Sequence, residues 1–242
     1  MLNESDQGHA NPDQPVGDPE WGYSLNFNPG ASDALHDFCG ENDIAGASCP
    51  NCKRPLTRLL SLYAKDPALN LDQERLAVVH LLYCWTCSIP FGDFSYKIEK
   101  HGSVKILNLP ARQPDSEHGL EGPYDGYRGT FPHRKVSLAS IDAEDQLKLR
   151  QRWQSTGTET DDGLDEPRHQ VGGYPFIYNP VRTQCPECSR DMPLFAAICN
   201  DANGNDPWRR IATETFVGNG GVQMVFHFCR DCSIVSAYSS SD

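Results

Sequence analysis

Four C-x-x-C pairs are the residues in this sequence best placed to do chemistry: Cys49-Pro50-Asn51-Cys52, Cys84-Trp85-Thr86-Cys87, Cys185-Pro186-Glu187-Cys188 and Cys229-Arg230-Asp231-Cys232. Two thiolates at this spacing on a tight turn converge on one tetrahedral ion, but two ligands do not close a structural site. The pairs must therefore combine in twos. An internal echo indicates how: Cys49-Pro50-x-Cys52-x-Arg54-x-Leu56 returns as Cys185-Pro186-x-Cys188-x-Arg190-x-Met192. The second pair of each copy is extended alike, as Cys84-x-x-Cys87-Ser88-Ile89 and Cys229-x-x-Cys232-Ser233-Ile234. We expect one metal site at Cys49, Cys52, Cys84 and Cys87, and another at Cys185, Cys188, Cys229 and Cys232. Each would hold a structural zinc ion.

The alternatives are a disulfide or redox role for the pairs and an iron–sulfur cluster. A redox C-x-x-C normally occurs once, on a strand-to-helix turn, and matched pairs argue against it. Cys39 and Cys199 fall outside the pattern. Cys199, in Ala196-Ala197-Ile198-Cys199, reads as a buried apolar thiol; Cys39, followed by Gly40, is compatible with an exposed one.

Four thiolates leave no vacancy for water or substrate, so neither site is expected to be catalytic. The sequence has no H-E-x-x-H, G-x-S-x-G or phosphate-loop pattern. His80 and His227 lie on apolar runs near cysteine pairs, where a core or supporting role is expected rather than ligation. The reading is a non-enzymatic protein.

The elements that must position these cysteines are short. With Gly 20, Pro 18 and 38% hydrophobic residues in 242, the composition favours strands and turns. Residues 1–20 read as a solvated tail. Residues 21–27 alternate apolar and polar as a half-buried strand does, and residues 94–99 and 104–109, parted by Lys100-His101-Gly102-Ser103, read as a β-hairpin. Residues 59–63 read as a short strand or a helix start, and residues 76–83 as an apolar run of ambiguous type. Residues 110–132 form a Pro/Gly-rich connector. A helix over about 141–153 is expected from Ser140 as N-cap, with acidic residues in its first turn and basic ones toward its end. Residues 158–167 are an acidic linker, and residues 218–221 a turn into a strand over 222–228. The expected fold is α+β, predominantly antiparallel β, with two pseudo-repeated halves: 21–110 and 169–242 each carry a zinc site, and 111–168 connects them.

Charge bears on partners. The formal −12 becomes about −16 once eight thiolates hold two dications; Lys53, Arg54, Arg182, Arg190 and Arg230 are placed to offset part of it. Such a chain repels phosphates, so direct nucleic-acid binding is not expected and a basic protein partner is. No stretch is apolar enough to span a membrane, and residues 1–6 lack a signal segment, so a cytoplasmic location and no membrane partner are expected.

Residues 169–238 resemble the YwqG-like family, a bacterial group of undefined function. The likeness is carried by His169-Gln170-Val171-Gly172-Gly173-Tyr174-Pro175, by Cys185-Pro186-Glu187-Cys188 leading to Met192, and by Gly220-Gly221-Val222 running through Phe226 into Cys229. More distantly the segment is similar to the eukaryotic programmed cell death protein 2 family. That resemblance implies a two-part body and chaperoning of a basic ribosomal-type client; an immunity protein masking a basic toxin fits the same charge. Two other functions stay open: an enzyme or small-ligand binder using a cleft between the halves, lined by Tyr174, Phe176, Tyr178 and Trp208, and a thiol redox sensor.

Overall fold

The computed structural model describes residues 18–84, 94–109, 130–154, 169–175, 177, 180–199 and 222–241. Among them are eleven strands and one α-helix: β1 Asp18–Asn26, β2 His36–Phe38, β3 Thr57–Tyr63, β4 Val78–Tyr83, β5 Phe94–Ile98, β6 Val104–Asn108, β7 Arg134–Ser140, α1 Ala143–Gln154, β8 Gln170–Gly173, β9 Leu194–Cys199, β10 Val222–Cys229 and β11 Ile234–Ser241. The strands form one sheet in the order β4-β3-β2-β7-β1-β8-β9-β10-β11-β5-β6. Every pairing is antiparallel.

This order corrects the expected α+β fold of two repeated halves. The protein is mostly antiparallel β, a single curled half-barrel. The hairpin β5–β6, from the amino-terminal half, pairs with β11, the last strand. β7, from the expected connector, lies between β1 and β2, and β1 pairs with β8. The periodicity of a strand fixes its faces but not its neighbours, so the cysteine echo could not reveal that the strands interleave.

Twist curls a sheet of this width until its ends approach, and β4 comes round to lie against β5 and β11. Among the described residues, backbone pairing does not close the gap there. Tyr96 on β5 does so with its side chain: the phenol donates to the carbonyl of His80 (2.7 Å) and accepts from the amide of Leu82 (2.8 Å). Both groups lie on β4 and are buried. The main core includes Phe38, Leu60, Leu62, Leu81, Val136, Phe94, Phe226, Phe228 and Val235, drawn from strands along the whole sheet.

Two glycines allow the chain to close up. A Cβ on Gly173 (φ +64) would stand 2.9 Å from the Cα of Gly22, so the V-G-G segment lets β8 come tightly against β1. A Cβ on Gly46 (φ +81) would stand 1.9 Å from the carbonyl oxygen of Val104. That contact lets the loop before the first cysteine pair bond to β6, where Val104 donates to Ala45 (2.8 Å).

The helix begins later than expected. Ser140 ends β7, and Asp142 caps α1 instead, its carboxylate accepting from the amide of Asp145 (2.9 Å). Of the expected tail 1–20, residues 18–20 belong instead to β1, whose pairing with β8 begins at Asp18; residues 1–17, most of the connector and the acidic linker lie outside the described residues.

Candidate metal centres

The two C-P-x-C segments fold alike, residue for residue. In the first, Cys49 donates from its backbone to Arg54 (2.8 Å), Lys53 to Cys49 (2.9 Å) and Leu56 to Ala47 (2.9 Å). In the second, Cys185 donates to Arg190 (2.9 Å), Ser189 to Cys185 (2.8 Å) and Met192 to Thr183 (2.8 Å). Lys53 and Ser189 hold matching left-handed conformations, φ +63 and +58. These bonds wrap a turn around each pair of sulfurs and aim backbone amides at them. The second pair of the second site sits on the β10–β11 hairpin, where Cys229 lies opposite Ile234.

The turns bring the sulfurs together. Those of Cys185, Cys188, Cys229 and Cys232 lie within 4.8 Å of one another, as do those of Cys49, Cys52 and Cys84, and each cluster can hold a metal ion. Cys87, the expected fourth ligand of the first site, lies outside the described residues. Cys188 and Cys229 stand 3.8 Å apart and Cys52 and Cys84 3.7 Å. Disulfide sulfurs are bonded at about 2.05 Å, whereas sulfurs at about 2.3 Å from a tetrahedral ion stand about 3.8 Å from each other. The spacing fits a shared cation.

Local electrostatics point the same way. The thiol of Cys188 is pulled down to about 6 by the backbone amide and guanidinium of Arg190, and that of Cys49 to about 5, chiefly by its bond with Cys84. Burial pushes Cys229 up. Sulfurs this close cannot all ionise unaided; a dication removes that conflict.

The two remaining cysteines are core residues. Cys39 and Cys199 are fully buried; burial drives the Cys39 thiol far up, and this corrects the exposed position its neighbour Gly40 suggested.

A second polar cluster escaped the sequence. Lys135, Asp37, Ser61 and His80 stand opposite one another on β7, β2, β3 and β4, so they share a face. The buried Asp37 accepts from Tyr63 (2.7 Å), His133 (2.7 Å) and Lys135 (2.7 Å). Burial opposes its ionisation, but these bonds hold its carboxyl far below the usual range. Ser61 and the Nδ1 of His80 are 2.8 Å apart. His227 bonds through Nδ1 to the carbonyl of Met192 (2.9 Å) and stacks on Tyr238. β2 is only three residues long, too short to show a periodicity that would have placed Asp37.

Of the cleft residues expected from the sequence, Tyr174 lines a cavity of about 230 Å³ with Gly22, Gln146, Arg150, Gln170 and Gly173, beneath α1. Phe176, Tyr178 and Trp208 lie outside the described residues. Among the described residues no helix is long and apolar enough to cross a membrane. Comparison with family models, curated proteins and solved structures finds no match.

Proposed function

We propose that the chain is a non-enzymatic, zinc-stapled protein-interaction module of the cytosol that binds a basic protein. The observation that carries this reading is the four-thiolate cluster of Cys185, Cys188, Cys229 and Cys232. Four thiolates at tetrahedral spacing suit Zn²⁺ and fill its coordination, which leaves the ion a structural task. The first site would take a second zinc through Cys49, Cys52 and Cys84, with Cys87 completing the set.

The charge supports the partner. The chain carries a formal −12. The densest run has Glu159, Asp161, Asp162, Asp165 and Glu166 against the single Arg168. A basic toxin or a basic ribosomal-type client fits this distribution, in keeping with the resemblance to the programmed cell death protein 2 family. Elemental analysis of the purified chain should return two zinc ions per molecule. Pull-downs from a lysate at low salt should capture basic proteins that are shed at high salt; finding no basic partner at low salt would remove the reading.

The cavity beneath α1 favours a second reading, a small-ligand binder. Saturable thermal stabilisation by a metabolite, abolished by Arg150→Ala, would support it over the first.

A further inference from the structure

The two centres are embedded differently. Cys49 and Cys84 belong to the main core, packed among residues that hold the whole sheet together. Cys185 and Cys229 form a separate small cluster with Met192 and Ile234, flanked by Leu107 and the half-buried Cys188 and Cys232. Emptying the first centre would open the main core, whereas emptying the second disturbs a satellite.

What holds the satellite from outside is charge. Arg190, in the first loop of the second site, pairs with Asp231 in the second loop, and its guanidinium also bonds to the sulfur of Cys188. From β5, Lys97 grips Glu187 at 2.8 Å. Arg190 and Asp231 are 63% and 62% exposed, and as an isolated surface pair they would add little. Four thiolates around a dication, however, carry a net −2, and a guanidinium bonded to one of them offsets that charge while tying both loops. At the position of Asp231 the first site's repeat has Thr86, which carries no charge.

We infer that the second centre is an exchangeable metal site: its ion leaves and returns without unfolding the sheet, and the Arg190–Asp231 latch sets how fast. The ion of the first centre leaves only as the main core opens. This rests on the zinc reading above.

The test uses the full chain loaded with zinc, challenged at low salt with excess chromogenic chelator while far-UV circular dichroism is followed. Half of the metal should leave in a fast phase with the spectrum unchanged, and added zinc should refill that site. Arg190→Met and Asp231→Asn should each speed the fast phase about tenfold, within the range for residues that support metal ligands, and leave the slow phase alone. Arg190→Lys should restore part of the retention, and salt should speed the wild type toward Arg190→Met. Cys188→Ser should fold and show only the slow phase. A single phase, loss of dichroism with the first equivalent, an unchanged rate in Arg190→Met or an unfolded Cys188→Ser would each overturn the inference. A chain that purifies with no metal would instead fail at the zinc reading beneath it.

Discussion

His80 and His227 lie on strands with their rings out of water, and burial pulls both down to about 4; burial lowers His36 too, against the pull of Asp66. In the unfolded chain these rings titrate near 6.5. Between about pH 6.5 and 4 the unfolded state therefore binds protons that the folded state refuses, and stability falls as pH falls. Each of the two most shifted rings should contribute a loss on the order of 2–3 kcal/mol across that window. Thermal melts from pH 7.5 to 4.5 should show the decline, and His227→Gln should flatten it. Asp37 acts lower: its depressed carboxyl contributes stability above about pH 4, the unfolded value, which is lost on further acidification. A core or supporting role for His80 and His227 was legible in the sequence, because each sits in an apolar run. The sequence could not supply their partners, since Ser61 on β3 and Met192 in the loop before β9 reach them from segments distant in sequence.

At the scale of elements, the seam between β4 and β5 should be the place most sensitive to one atom. Tyr96→Phe leaves the buried amide of Leu82 and the carbonyl of His80 without the phenol that serves both, and should cost about 1–3 kcal/mol in urea denaturation. Gly46→Ala should cost more, because its methyl has only the Val104 carbonyl to occupy. The hairpin of β5 and β6 and both C-P-x-C turns were legible, since alternation around a turn and paired cysteines are local signals. β2 and β8, of three and four residues, are set by their neighbours and give no period. The late start of α1 follows from the same limit: Ser140 and Asp142 are both good caps, and the pairing of Ser140 with Tyr23 on β1 decides between them.

Across the whole molecule the halves are not separable. Because β11 holds β5, and β1 bridges β7 and β8, residues 1–110 expressed alone should give no cooperative unfolding transition, while the intact sheet should unfold in a single step. Circular dichroism of the fragment and of the full chain would check both. The number of cysteine sites was legible because ligand spacing is a property of short segments. The single sheet was not, because strand order depends on contacts far apart in sequence.

That strand order has a consequence for synthesis. The hairpin of β5 and β6 leaves the ribosome long before the strand it will join, and at about 5–20 residues per second the wait is on the order of ten seconds. Throughout it Phe94 and Tyr96, fully buried in the finished protein, lack the pairing of β5 with β11. Until β11 is translated, these apolar side chains lack the strand that pairs with theirs.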